Sequence, residues 1–265
     1  MKRRAFLGTS LAAAVAAGFS GEGLGQAAET QAREYYVIRR YALQSGPQTS
    51  LTEKFLSEAF IPALARRGMG PVGAFQLSIG PETPVYYVLI PGKDVAKLTR
   101  LDLDLAHDDE FMKAAEPFWA APATAPAFKR AETSLFAAFE GWPRLTLPPA
   151  SAGKGKRVFQ LRTYESPSNK AHVDKVKMFH SGEFDVFARA SFHMVFFGDM
   201  LVGTRMPCLT YMLSATNTAE LDAAWAKFGS DPEWKKLTAD PRFNYEEIVS
   251  NITNLILNPL SASQI

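Results

Sequence analysis

The sequence predicts an α+β protein in which one β-α-β-β-α-β module occurs twice and the two copies close into a barrel. Two observations predict this fold. Residues recur at a constant offset of 123, as between Arg39 and Arg162. Strand-like and helix-like periodicities also follow one another in the same order in both copies. The N-terminal segment lies outside the repeat and has the pattern of an export signal.

The repeat is clearest at the start of each copy, where Tyr36-Val-Ile-Arg-Arg-Tyr41 aligns with Phe159-Gln-Leu-Arg-Thr-Tyr164. An offset that stays constant through turns as well as strands indicates duplication. The same offset, without a gap, aligns Ala65-Arg66 with Ala188-Arg189, Gly80 with Gly203, Pro84 with Pro207, and Asp108-x-Glu110 with Asp231-x-Glu233.

Each copy contains strand, helix, hairpin, helix and strand in that order. Strands are predicted from aromatic and β-branched runs, and helices from apolar residues at helical spacing. In the first copy these are Glu34–Tyr41, about Ser50–Arg67, the hairpin Gly73–Ile79 with Val85–Ile90, a helix from about Asp94, and Thr133–Glu140. In the second they are Val158–Glu165, about Asn169–Ala190, Phe192–Val202 with Cys208–Leu213, a helix from Thr218, and Ile248–Leu257. In the long second helix, Val173, Val176 and Phe179 are expected on the buried face.

This element order is the ferredoxin-like arrangement, in which the helices cover one face of an antiparallel sheet. Two tandem copies can cover the other face by closing into a fused barrel, a pseudo-dimer within one chain. The predicted organisation is a signal peptide at 1–27, a first module at 33–142, a flexible linker at 143–156 and a second module at 157–260. Further pairing into a homodimer stays open.

The first 27 residues have the three regions of a secretory signal: a basic start, a short apolar stretch and a small-x-Ala exit at Gly25-Gln-Ala27. The pair Arg3-Arg4, followed by Ala-Phe-Leu, resembles the twin-arginine motif. We therefore expect export to the periplasm in the folded state, with no stable membrane span once the signal is removed. The alternative is an ordinary secretory signal that carries two arginines.

Charge and cysteine content exclude several classes of protein. Residues 1–27 hold three basic residues and one acidic residue, so the mature chain has 26 of each, 29 less 3 and 27 less 1. A formally neutral chain gives no basic surface for nucleic acid. The single cysteine, Cys208, excludes an intramolecular disulfide and is expected to be a small buried apolar residue.

The second copy resembles the NIPSNAP family, within the dimeric α/β-barrel superfamily, through Phe159-Gln-Leu-Arg-Thr-Tyr164 and Asp231-Pro-Glu-Trp-Lys-Lys236. The first copy fits loosely, because Asp108-Asp-Glu-Phe replaces the Asp-Pro-Glu-Trp pattern. The resemblance implies a bacterial protein with two tandem NIPSNAP-like domains, a barrel and a cavity. Relatives in the superfamily include cofactor-light monooxygenases, isomerases and haem-handling proteins. The family offers no agreed catalytic residues, so the reaction and any cofactor stay unknown.

The candidate binding residues lie on one face of the first strand of each copy, Arg39 and Tyr41 in one and Arg162 and Tyr164 in the other. Because the opposite face is more apolar, we expect that face to contact the helices and the Arg/Tyr face to point into the barrel. Two arginines lining a cavity between the sheets would bind a carboxylate or an enolate-like oxygen through their planar forks. Alternatively, each arginine forms an ion pair at the seam between the copies.

His193 completes the candidate binding set, since alternation allows it to face the same cavity; the alternative is a structural histidine. His172 and His180 are eight residues apart, too far for a chelating pair, and are expected to be solvated. The acids beside His107 align with a helix start in the second copy, which indicates capping. The sequence predicts no metal site and contains no phosphate-binding loop or nucleophile motif.

Two functions follow from these features. The first is an exported protein that binds a small apolar or anionic molecule between the two sheets, whether or not it is an enzyme. The second is a non-catalytic interaction or scaffold protein that binds a periplasmic partner through exposed helices. A haem- or flavin-handling role is a third hypothesis.

Overall fold

Eight antiparallel strands form a closed barrel in the structure, a computed structural model that describes residues 32–265. The predicted signal peptide, residues 1–27, lies outside the described residues. The strands are β1 (Tyr35–Ala42), β2 (Gly73–Ile79), β3 (Val85–Gly92), β4 (Arg130–Ala138), β5 (Val158–Glu165), β6 (His193–Val202), β7 (Cys208–Ala215) and β8 (Asn251–Pro259). All of the predicted strands are present, with ends shifted by a few residues.

The strand order around the barrel is β1-β3-β2-β8-β5-β7-β6-β4, with β4 pairing back to β1. The first four strands therefore lie in the order β4-β1-β3-β2, and the last four in the order β8-β5-β7-β6. The two halves meet at the pairs β2–β8 and β4–β6. The predicted α+β class and the closed barrel are confirmed.

Helices cover the outside of each half. They are α1 (Pro47–Phe55, a π-helical turn Leu56–Phe60, then Ile61–Arg66), α2 (Val95–Thr99), α3 (Leu101–Leu105), α4 (Asp109–Trp119), α5 (Pro149–Ala152), α6 (Asn169–Met178, a π-helical turn Phe179–Glu183, then Phe184–Arg189), α7 (Thr218–Ser230), α8 (Pro232–Thr238) and α9 (Tyr245–Ile248). No helix within residues 32–265 is long and apolar enough to cross a membrane.

Two capping aspartates occupy matching positions in the halves. Asp108 accepts a hydrogen bond from the Phe111 amide at the start of α4, and Asp231 accepts from the Trp234 amide at the start of α8. Each also binds an arginine from the end of the preceding long helix, Arg66 or Arg189. The capping role predicted for these acids is confirmed, because a side-chain oxygen satisfies amides that the first helical turn leaves unpaired.

The described residues form three apolar clusters, which show what each face of the sheet packs against. One fills the barrel, with Phe75, Phe159, Phe196, Leu257 and Ile265 among its members. The other two lie between the sheet and the helices, one cluster in each half. Both faces of the sheet are therefore covered, the inner by the opposite half and the outer by helices.

The segment predicted to be a flexible linker is attached to the barrel. The Leu145 amide donates to Glu34 Oε2 at 2.8 Å, and the Thr146 amide donates to the Val195 carbonyl at 2.8 Å. Leu145 also packs against the barrel cluster. The Pro- and Gly-rich composition indicated a connection correctly, but these bonds fix its path.

Candidate functional site

The predicted Arg/Tyr face lies outside the barrel, against the helices, so the expected orientation was wrong. Arg39 and Tyr41 contact the helices of the first half, and Arg162 and Tyr164 contact those of the second. The more apolar strand face points inward, because the interior of an eight-stranded barrel is filled by side chains from all its strands. The two arginine–tyrosine pairs belong to separate sites.

In the first half, Arg39 lies at the edge of a pocket between the sheet and the helices. Its Nη2 donates to Asp102 Oδ1 of α3 at 2.7 Å, and its guanidinium lies 5.0 Å from the centre of the Phe60 ring. The residue is only 8% exposed, yet its Nε is buried without a hydrogen-bond partner. An unpartnered buried donor costs free energy that a ligand acceptor would recover.

The pocket has a volume of about 240 Å³ and mainly aromatic walls. Phe55 of α1 and Phe118 of α4 stack with ring centres 4.0 Å apart, and Phe118 also meets Tyr41 edge-on at 5.9 Å. Trp119 and Phe128 complete the aromatic lining. Helical spacing in α4 brings Phe111, Ala115 and Phe118 onto its buried face. The walls thus suit a flat apolar or aromatic molecule.

Electrostatics keep a cation and a neutral phenol in this pocket. Burial acts to lower the pKa of Arg39, but Tyr41 and Asp102 outweigh it, so the pKa is raised and the guanidinium stays charged. Burial raises the pKa of Tyr41, although Arg39 opposes the shift. Arg39 and Tyr41 can therefore both donate hydrogen bonds to an oxygen atom.

The matching space in the second half is occupied by side chains. Trp225 of α7, at the position that Asp102 has in the first half, lies under the Arg162 guanidinium at 4.4 Å from the ring. Arg162 donates to the Tyr164 hydroxyl at 3.0 Å, which in turn bonds the Tyr211 hydroxyl at 2.8 Å. A tryptophan in place of an aspartate fills the volume with an indole ring.

A buried ion pair that no sequence pattern predicted lies beside these tyrosines. Lys175 Nζ is 2.6 Å from Glu183 Oε2, and both side chains are almost fully buried. The lysine faces the rings of Phe179 at 4.4 Å and Tyr245 at 5.4 Å. The helix was expected to bury Val173, which is instead 47% exposed.

Val173 lies before the π-helical turn, on the side of α6 away from the buried Ala171, Lys175 and Met178. The π-helical turn affects the position of Glu183 instead. It inserts an extra residue into the turn between Lys175 and Glu183 and rotates the later side chains relative to an α-helix. Gly182, with a φ of 138° inside that turn, adopts a backbone conformation that L side chains rarely take. Gly182 followed by Glu183 in the middle of the helix was the available sequence signal.

The remaining candidate residues lie elsewhere. His193 is exposed at the start of β6 and lines neither the first-half pocket nor the barrel interior. His172, expected to be solvated, is mostly buried, with Nε2 2.9 Å from Asp199 Oδ1. His180 is exposed, and its Nε2 accepts from the Gly141 amide at 3.0 Å.

A cavity does lie between the two half-sheets, inside one end of the barrel. Its volume is about 300 Å³, and strands of both halves line it. None of the predicted ligand-binding residues is among its walls. Arg40, the neighbour of Arg39, points into it instead, because adjacent residues of a strand face opposite sides.

Part of the chain matches a known family by sequence, and most of the chain resembles solved structures in its fold. Residues 159–264 match the NIPSNAP family. A comparison with curated proteins finds no significant match.

Solved structures resemble most of the chain. A proposed monooxygenase from Lactobacillus acidophilus is 11% identical with a TM-score of 0.55, over 88% of this chain and 97% of that one. One from Fusobacterium nucleatum subsp. nucleatum is 9% identical with a TM-score of 0.56, over 87% and 94%. An anthrone oxidase-like protein is 8% identical with a TM-score of 0.50, over 87% and 92%.

Identities this low indicate a common fold and nothing further. The family match covers β5 to β8 and the helices α6 to α9, which form the second half of the barrel. Residues 159–264 are a NIPSNAP domain, within a chain that has the eight-stranded α+β barrel fold of these structural neighbours.

Proposed function

We propose that this protein binds a small aromatic anion, a carboxylate or a phenolate, in the pocket between the sheet and the helices of its first half. The observation that carries the proposal is the buried Nε of Arg39, which has no protein partner beside an aromatic-walled space. This pocket replaces the space between the sheets as the predicted site of Arg39 and Tyr41.

The donor set fits an anion because a guanidinium presents several N–H groups in one plane. Asp102 occupies one of these groups but is 56% exposed, so it can turn into solvent when a ligand oxygen arrives. Tyr41 adds a hydroxyl, and the stacked Phe55 and Phe118 bind a ring through offset or edge contacts. Arg39 thus binds the charged group of the ligand, and the two phenylalanines bind its aromatic ring.

The experiment uses 1-naphthoate as the probe and calorimetry as the measurement. R39Q removes the charge and should weaken binding about ten- to a hundredfold, the range for losing a charge-assisted hydrogen bond. R162Q is the matched control, since its pocket is already filled by Trp225, and it should leave the affinity unchanged. Failure of the wild-type protein to bind 1-naphthoate, or equal affinity in R39Q, would refute the proposal.

Oxidation of the bound molecule is a second candidate function. Its support is that the solved structures resembling most of the chain include proposed monooxygenases and an anthrone oxidase-like protein. In such a reaction anthrone and O₂ would give anthraquinone and water, one oxygen atom entering the ring carbon and the other leaving as water. Purified protein should then accelerate the appearance of the quinone absorbance, and R39Q should not.

We also propose that the two halves arose by duplication of one ferredoxin-like module. The support is the equal strand order in each half, together with π-helical turns that begin at Leu56 and at Phe179, 123 residues apart. Export through the twin-arginine route to the periplasm is a further proposal, and it rests on the sequence of residues 1–27 alone. Two fused modules make a pseudo-dimer, which we propose as the working unit.

A further inference from the structure

The barrel cavity is closed at one end and open at the other. At the closed end the interior is filled by large side chains from both halves, among them Tyr36, Phe75, Phe159 and Phe196, and by Ile265. At the open end, called here the mouth, lie the tips of the two hairpins β2–β3 and β6–β7. The hairpin tips therefore frame the entrance to the cavity.

The cavity changes from apolar at its floor to polar at its rim. Leu161 and Leu255, both buried in the barrel cluster, form part of the floor. Above them the hydroxyls of Thr163 and Thr210 are bonded to each other at 2.8 Å. This gradient matches an amphiphile that enters tail first.

Two of the three arginines in the cavity lining, Arg40 and Arg205, differ in their ion pairs. Arg40 is paired with Glu132 at 3.1 Å and also with Glu82, so two carboxylates already neutralise it. Arg205 bonds the Thr253 hydroxyl, and its nearest carboxylate, on Glu165, is 3.7 Å away. Its side chain is 50% exposed, so an ion pair at this distance is weak and easily exchanged.

The two hairpin tips carry opposite charges at matching positions. Glu82 of the first tip and Arg205 of the second are 123 residues apart and stand on opposite sides of the mouth. The lining contains three arginines and two glutamates, which gives a net charge of +1. A ligand with a single negative charge would balance the net charge of this lining.

A phenol also faces the cavity. Burial raises the pKa of Tyr87, and Arg40 and then Arg205 act against that shift, which reflects their proximity to the ring hydroxyl. The hydroxyl remains protonated at neutral pH and can donate a hydrogen bond. Tyr87 and Arg205 together offer donors from both halves of the chain.

We propose that the barrel mouth is a second binding site, specific for an amphiphilic monocarboxylate whose alkyl chain lies on the leucine floor and whose carboxylate binds Arg205. Apolar side chains around the mouth fit this ligand. Ile79 is 61% exposed, Val202 is 60% exposed and Met206 is 51% exposed, all at or beside the hairpin tips. They provide an apolar path for the tail as it enters.

The proposal is tested by calorimetry with octanoate, in comparison with octanol and octylammonium. Octanoate should bind at one saturable site, octanol should bind at least about tenfold more weakly, and octylammonium should not compete. R205Q should lose about tenfold or more in octanoate affinity, in line with the loss of one charge-assisted hydrogen bond. The control R242Q, at an exposed arginine outside this cavity, should keep the affinity.

A second variant tests the floor without touching the charge. L161F adds volume at the floor and should abolish octanoate binding while leaving binding of 1-naphthoate to the first-half pocket intact. If L161F does not fold, competition between the two probes on the wild-type protein decides the matter. Mutual competition, equal binding of octylammonium, or loss of octanoate binding in R39Q would each overturn the second site.

Discussion

Lys175 Nζ lies 2.6 Å from Glu183 Oε2, with both side chains removed from solvent and the lysine enclosed by aromatic rings. Eight residues along an α-helix cover about 12 Å, so the contact depends on the two long side chains and on the π-helical turn between them. In the first half the corresponding residues are Thr52 and Phe60, which carry no charge. The ion pair therefore distinguishes the filled half from the half with a pocket.

Removal of Lys175 should destabilise the protein strongly. K175M leaves Glu183 buried without its cation, for which the expected loss is about 3 to 5 kcal/mol in the free energy of unfolding. Burial already raises the pKa of Glu183, and Lys175 opposes that shift, so the pKa rises further in the variant. A folded-state pKa above the unfolded one favours the fold at low pH, so the loss should grow as pH rises through that pKa.

Urea unfolding at several pH values measures this effect. The control is K170M on the same helix, where the ion pair with Asp174 is exposed and should contribute less than about 1 kcal/mol. K175M/E183L, which removes both charges, should recover much of the stability. Equal stability of K175M and K170M would contradict a stabilising role for the buried pair.

Asp231 should make the fold sensitive to acid. Arg189 is the main cause that lowers its pKa to about 2, and the Trp234 and Glu233 amides act in the same direction. Because the folded-state pKa lies below the unfolded value, this stabilisation is complete above about pH 4. It is lost as pH falls toward 2.

D231N should flatten the fall in Tm between about pH 4 and pH 2, because asparagine still caps α8 but has no carboxylate to protonate. The exposed Asp222 of α7 supplies the control, D222N, whose Tm profile should follow the wild type. An unchanged acid profile in D231N would mean that the pair with Arg189 contributes nothing to folding.

Cys208 should be unreactive in the native protein. It is 1% exposed, with its Sγ 3.4 Å from Met200 Sδ, and burial is the main cause that raises its pKa to about 12. Since the thiolate is the reactive form, a chromogenic disulfide reagent at pH 8 should label the folded chain far more slowly than the urea-unfolded chain. Comparable rates in the two states would show that the mouth end of β7 opens readily.

Trp225 should be the reason that only the first half binds 1-naphthoate, because its indole fills the space beside Arg162 in the second half. W225A opens the space beside Arg162 and should raise the stoichiometry of 1-naphthoate from one to two, at a cost of about 3 kcal/mol or more in stability. W225F keeps most of the ring volume and should retain one site. A single site in stably folded W225A would contradict equivalence of the two half-pockets.

Export should require the paired arginines. The double substitution R3K/R4K keeps the positive charge but removes the motif, and it should leave the precursor in the cytoplasm. Cell fractionation with an immunoblot measures the distribution, and K2R is the control with normal export. Unchanged periplasmic protein in R3K/R4K would indicate the general secretory route.

Much of the fold could be predicted because it depends on local patterns. The ranges Gly73–Ile79 and Val158–Glu165 match the structure, since Gly, Pro and β-branched runs mark strand ends directly. Asp108 and Asp231 were recognised as caps because capping involves only residues within one turn. Their match across the repeat strengthened the prediction.

The orientation of the strands depended on long-range packing. Period-two alternation in β1 separates Arg39 from Arg40 but does not say which side faces the other half, because both sheet faces are covered in this fold. The sequence by itself determined the element order, the repeat and the two faces of each strand. Only the tertiary structure decided that Arg39 faces the helices and Arg40 the barrel, because a narrow interior requires mostly apolar side chains while the helix layer lets Asp102 reach both the arginine and water.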